Sequence, residues 1–131
     1  MDRAMMISTL APDAAHYFPA GAPQGPFLGA DAIADGWIDA VQRHDSRWTI
    51  DRLLVDALRA EAVVEWTHFK PNQDVLLRGA EWICFDAEGR ITEIRAYYAC
   101  PPPGGQPQTH GLGGFDYRQR AYPVTAPTVN R

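Results

Sequence analysis

Apolar and polar residues alternate through much of the middle of the chain, and the alternation predicts strands. Trp48 to Val55 reads as one strand and Ala62-Val-Val-Glu-Trp-Thr-His-Phe69 as the next. Pro71-Asn-Gln-Asp74 is a turn signal, Val75 to Phe85 a third strand, Asp86-Ala-Glu-Gly89 a second turn, and Arg90 to Ala99 a fourth strand. Gly89 suits the positive φ that a tight turn demands. Before these strands the period changes. Ile33, Trp37, Ile38 and Val41 recur at helical spacing, which predicts a helix from about Ala32 to Arg43 with Asp31 as its N-cap. Gly21 to Gly29 holds three glycines and two prolines and reads as a loop. Asp13 to Phe18 reads as a short strand ending at Pro19. Met5, Met6, Ile7 and Leu10 suggest the end of a helix within residues 1–11. A helix followed by hairpin-linked strands predicts an antiparallel sheet in an α+β fold.

Side chains alternate between the two faces of a strand, so register decides what meets what. Centring the first hairpin on Asn72-Gln73 pairs Trp66 with Gly79 and Val64 with Glu81. Closing the second at Phe85 and Arg90 pairs Ile83 with Thr92 and Glu81 with Ile94. One face then gathers Val64, Trp66, His68, Glu81, Ile83, Phe85, Ile94, Ala96 and Tyr98. It is apolar with a few polar groups, as in a ligand pocket. The other face carries Glu65, Thr67, Arg78, Trp82, Glu93, Arg95 and Tyr97, which suits solvent or a polar homodimer interface.

Glu81 is the residue this reading must explain, because a carboxylate on a buried face costs several kcal/mol unless paired, protonated or used. His68 titrates near neutrality and is a general acid/base candidate, with Glu81 on the adjacent strand to orient it. Glu81 can instead be neutral and donate to a developing oxyanion. The plainer alternatives are a core histidine bonded to a backbone or tail group and a carboxylate paired with an arginine. His16 and Tyr98 are candidates to hold a carbonyl or hydroxyl. Trp66, Phe18 and Ile94 read as pocket wall, Tyr17 should face away, and Trp37 and Trp48 read as core. His44 and His110 read as loop residues. No spacing of His, Cys or acidic residues marks a metal site, although His16, His68 and Glu81 form a conceivable ligand set. Cys84 should lie on the outer face, and no nucleophile turn or phosphate-binding glycine loop is present.

Composition narrows the classes. With 131 residues, one domain is expected, and 46% hydrophobic with 21% charged residues is ordinary for a globular chain. A net charge of −4 with scattered arginines argues against nucleic acid. No apolar run is long enough to span a membrane, and the N-terminus lacks the layout of a secretory signal. Two cysteines, Cys84 and Cys100, fit a reducing compartment, so the cytoplasm is the expected location. From Pro101 the composition changes. Residues 101–131 read as a Pro/Gly-rich C-terminal extension, and its aromatics (Phe115, Tyr117 and Tyr122) suggest that part of it docks.

Three segments carry a resemblance to a known family: Ala11-Pro-Asp-Ala-Ala-His-Tyr-Phe-Pro19, Gly29-Ala-Asp-Ala-Ile33, and Glu81 through Tyr98. They resemble the first strand, the opening of the helix and the last hairpin of the cone-shaped α+β barrels that include nuclear transport factor two, ketosteroid isomerase and the SnoaL-like polyketide cyclases. The resemblance implies a cystatin-like α+β barrel over residues 1–100, a curved antiparallel sheet wrapped round helices with an internal pocket. By it, Glu81 falls where ketosteroid isomerases keep a protonated acid. Phe18 falls where they keep the aspartate that moves the proton, and their tyrosine lies on a long first helix that this chain starts too late to contain. Ketosteroid isomerisation by that mechanism is therefore not expected. Trp66 and His68 fall on pocket-lining positions, as do Ile94, Ala96 and Tyr98. Dehydratases and dehydrohalogenases of the superfamily, which use histidine with a carboxylate, are more similar in residue type. The resulting expectation is a homodimeric, cofactor-independent lyase, isomerase or cyclase for a small hydrophobic oxygenated ligand, with His68 moving the proton. The alternatives are a ligand-binding module without turnover and a dimerisation domain. The tail around Phe115-Asp-Tyr117 is expected to cover an open end of the barrel.

Overall fold

A computed structural model describes residues 2–19, 22, 25–71 and 75–98. The expected role of the tail, and the centre of the turn at Asn72-Gln73, lie outside the described residues.

The first helix, α1 (Arg3–Ser8), starts at Asp2, whose Oδ1 accepts the Met5 N–H at 3.0 Å. The chain then enters β1 (Leu10–Tyr17), which begins earlier than the sequence suggests. Inside the expected loop, β2 (Phe27–Leu28) pairs antiparallel with β1 and sets Phe27 beside His16. The second helix, α2, spans Ala30–His44. Its N-cap is Gly29 and not the expected Asp31. Gly29 has φ 91° and ψ 150°, a conformation that a side chain disfavours, and this lets the chain turn from β2 straight into the helix. Asp31 lies in the first turn instead, where Arg3 Nη2 donates to it at 2.7 Å and Arg3 Nε donates to Asp35 at 2.7 Å. One arginine thus ties α1 to α2.

The remaining strands are β3 (Arg47–Asp56), β4 (Glu61–Lys70), β5 (Val75–Phe85) and β6 (Ile91–Tyr98). All six strands form one curved sheet in the order β2-β1-β6-β5-β4-β3, with β1 parallel to β6 and the other pairs antiparallel. The β4–β5 register is the expected one: Trp66 faces Gly79 and Val64 faces Glu81. The β5–β6 register differs by two residues. Glu81 faces Ala96 and Ile83 faces Ile94: one residue of the shift is already present at the turn, where Phe85 faces Ile91, and the other comes from the irregularity between Cys84 and Phe85. A shift of two preserves the faces, so the predicted inner and outer sets survive it.

The core forms where α2 crosses β1 and β6. Leu10, Ala11, Ala14, Ala30, Ile33 and Ile94 are buried together, with Ile7, Phe27, Trp37 and Ile91 packed against them. The small residues of β1 and α2 let the helix approach the sheet closely. Ile94 belongs to this core and not to the pocket wall expected for it, since facing Ile83 carries it under the helix. On the outer face, Arg78 donates to Glu65 at 3.0 Å, Arg95 meets Glu93 at 3.0 Å, and Trp82 and Tyr97 stay exposed.

Candidate functional site

Beyond the core, α2 and the sheet diverge and enclose a cavity of about 330 Å³, a size that suits a small organic ligand. Phe18, Phe27, Trp37, Val64, Trp66 and Ile83 supply its apolar walls. Trp66 reaches across its partner Gly79, where an added Cβ would sit 2.6 Å from the indole and 2.4 Å from the Tyr97 carbonyl oxygen. The glycine is what allows that wall. The polar groups gather at two ends.

His16 and Glu81 define the first end. His16 points inward from β1 with only 2% of its surface exposed. Phe18 stacks on its ring at 4.1 Å between centroids, and Trp37 and Phe27 meet it edge-on at 5.8 and 6.3 Å. This aromatic cage fixes the imidazole plane. His16 Nε2 lies 3.5 Å from Glu81 Oε1, close enough for electrostatic attraction but outside good hydrogen-bond geometry. Neither ring nitrogen has a hydrogen-bond partner among the described residues, and neither does the buried Trp66 Nε1. Buried polar atoms are nearly always satisfied, which sets these three apart among the described residues. Tyr98 lies close by, edge-on to Trp66 at 5.7 Å. Burial, and after it the negative charge of Glu81, push its phenol pKa up, so Tyr98 stays protonated and can donate.

The second end is built differently. His68 Nε2 hydrogen-bonds the buried Ser46 Oγ at 2.9 Å, and Trp48 stacks on the ring at 4.2 Å. Burial first, then the charges of Lys70 and His44, push the His68 pKa down to about 4. His68 is therefore neutral at physiological pH and a weak base. Lys70, His44 and Thr49 also line this end, and burial lowers the Lys70 pKa.

The geometry thus brings together His16, Phe18, Trp66, Glu81 and Tyr98 around one cavity, with His68 on the same surface. It does not form the expected His68–Glu81 pair. His68 faces Leu77 and Glu81 faces Val64, four residues apart along β4, or about 13 Å. Glu81 meets His16 instead, because β1 joins the sheet beside β6 and His16 pairs with Ile94. The same separation takes His68 out of the conceivable three-ligand metal set, and among the described residues no three such side chains converge.

Trp37 packs against the core as expected and lines the cavity as well, whereas Trp48 and His44 are cavity residues and not the core and loop residues expected. The signal for two of them was helical spacing: Trp37, Ala40 and His44 share one side of α2. For Trp48 it was the β3–β4 register, which pairs it with His68. The turn that sets this register runs through Ala57 to Ala60 without glycine or proline, and Ala60 itself takes φ 53°. Tyr17 faces out as expected.

Residues 1–94 match the family described as SnoaL-like domain. Among solved structures, the chain is similar to a protein of unknown function with a cystatin-like fold from Methylobium petroleophilum PM1. The two share 54% identity at a TM-score of 0.76, over 96% of this chain and 83% of that one. More distant likenesses show the fold alone. A steroid delta-isomerase from Pseudomonas aeruginosa has 24% identity, a TM-score of 0.57 and coverage of 79% and 71%. A candidate polyketide cyclase from Sinorhizobium meliloti has 21% identity, a TM-score of 0.57 and coverage of 73% and 82%. Among curated proteins there is no significant match.

Proposed function

Since the chain belongs to the SnoaL-like family, we propose that it is a cofactor-independent enzyme that moves a proton on a small hydrophobic, oxygenated molecule. The substrate class is an aromatic, polyketide, terpenoid or steroid-like ketone or alcohol, and the reaction an elimination, isomerisation or cyclisation. One observation carries the reading: a histidine 2% exposed, with no hydrogen-bond partner for either ring nitrogen among the described residues, held against a carboxylate on the wall of an apolar cavity.

The chemistry follows from that geometry. His16 takes a proton from the carbon next to a carbonyl. The electron pair of the broken C–H bond moves toward the carbonyl oxygen, where the Tyr98 hydroxyl donates a hydrogen bond. Glu81, 3.5 Å away, stabilises the imidazolium that forms. His16 then returns the proton to another carbon, giving an isomer, or to a leaving hydroxyl, which departs as water. The apolar walls exclude solvent and strengthen each electrostatic contact. His68, neutral and tied to Ser46, positions the substrate and does not move the proton.

The test is deuterium incorporation in D2O across a panel of polyketide, terpenoid and steroid ketones, followed by NMR. Wash-in or product formation for one class supports the enzyme and names its substrate. Tight binding of a panel member without exchange or turnover contradicts it and leaves a ligand-binding module, the second reading, which the neutral His68 already favours at its end of the cavity.

We propose a homodimer as well. Leu54, 63% exposed, lies with Trp82 and Tyr97 on the outer face among the Arg78–Glu65 and Arg95–Glu93 ion pairs, an apolar patch with a charged rim. Sedimentation should give twice the monomer mass, and Leu54→Asp should halve it. The free thiol of Cys84 is consistent with a reducing cytoplasm.

A further inference from the structure

The cavity's second end has a feature that the proton transfer does not use. Arg3, Arg43, Arg47, Arg59, Arg78, Arg90 and Arg95 each meet a carboxylate on the surface. Lys70 lines the cavity, half-buried, and among the described residues no carboxylate lies within ion-pair distance of it. Among the described residues Glu81 is the only acidic one on the cavity wall. It faces Val64, six residues along β4 from Lys70, or about 20 Å along the strand. The partial negative charge at the C-terminus of α2 is met by Arg43 and His44 in the last turn, which leaves Lys70, on β4, to the cavity. Beside it stand two buried hydrogen-bonding side chains, Ser46 and His68.

An ammonium held in a partly apolar wall, with no carboxylate among the described residues in reach, is costly unless a ligand pairs with it. We propose that the ligand of this cavity is an organic anion: a hydrophobic body that lies along Trp66 and Ile83, with a carboxylate-like group at its far end that pairs with Lys70 beside His68 and Ser46. The inference rests on the reading of the cavity as the ligand site and adds the charge and orientation of what enters. The anionic end is anchored at β3 and β4, and the reacting end is delivered to His16 and Glu81. Burial pushes the Lys70 pKa down, and an anion beside its ammonium would oppose that shift.

Two probes with the same ring skeleton test it: 8-anilino-1-naphthalenesulfonate, which is anionic, and N-phenyl-1-naphthylamine, which is neutral. Fluorescence titrations of the full chain give Kd for each. Lys70→Met should weaken the anionic probe about tenfold and the neutral one less than twofold, with Lys70→Arg restoring most of the loss. Arg78→Met, on the outer face, should change neither. If Lys70→Met weakens both probes alike, or neither, the inference falls while the proton-transfer reading stands. A selective loss in Lys70→Met, with no deuterium wash-in for any ketone, would keep the anion site and sink the enzyme. If neither probe binds the wild type, both readings fall together.

Discussion

His16 and His68 are both buried histidines on one cavity wall, yet they are held in opposite ways. His68 is settled: it bonds Ser46, stacks on Trp48 and is kept neutral chiefly by its burial. His16 is held by aromatic faces, and among the described residues its nitrogens have no hydrogen-bond partner, while a carboxylate lies 3.5 Å away. Burial is common to both and so explains neither role. What separates them is whether the protein has spent their hydrogen bonds. A satisfied histidine stabilises a wall; an unsatisfied one beside a carboxylate is available for proton transfer.

The contrast can be broken at several points. The largest effect is expected from Glu81→Gln, which removes the charge that stabilises a His16 imidazolium and keeps the shape. Turnover of the first ketone found should fall about 100-fold or more, while Kd for neutral N-phenyl-1-naphthylamine stays within about twofold of wild type. Equal losses in both would make Glu81 a binding residue. Next, Gly79→Ala drives a Cβ into the Trp66 indole and should cost about 2–3 kcal/mol in urea unfolding. A neutral result would mean that the wall between the two ends is not rigid.

The smaller effect concerns pH. The folded pKa of His68 lies below its unfolded value of 6.5, so the unfolded chain binds the extra proton first as pH falls. The stability owed to this group is full above about pH 6.5 and is lost as pH drops toward 4. Between pH 7 and pH 5 the loss should be about 2 kcal/mol. His68→Gln keeps a hydrogen-bonding partner for Ser46 and should remove that slope, as measured by urea melts at the two pH values. A slope unchanged in the variant would place the titrating group elsewhere.

Much of this was legible in the sequence, for a reason that shows in particular residues. Polar residues recur at alternate positions in the middle of β4, and a turn signal beginning at Pro71 separates it from β5, so Val64–Glu81 and Trp66–Gly79 could be paired in advance. The inner and outer faces followed. The missed parts are where local chemistry is silent. β2 is two residues long inside a glycine- and proline-rich stretch. Asp31 has the chemistry of an N-cap, but Gly29 has the backbone freedom to be one. The irregularity between Cys84 and Phe85 shifted Ile94 from wall to core. The His16–Glu81 contact depends on β1 joining beside β6, a parallel pairing between segments far apart in the chain that no turn announces. The family likeness supplied the barrel. It did not say which histidine the carboxylate would meet.

The central claim is that His16 and not His68 moves the proton, and comparing the two histidines tests it most directly. Deuterium wash-in on the first exchanging ketone would be timed for wild type, His16→Phe and His68→Gln, with unfolding melts alongside. The account predicts that His16→Phe abolishes exchange yet is as stable as wild type or about 1–2 kcal/mol more so, because a buried unsatisfied polar group is gone. It predicts that His68→Gln keeps exchange within about tenfold. Exchange that survives in His16→Phe and disappears in His68→Gln would contradict it.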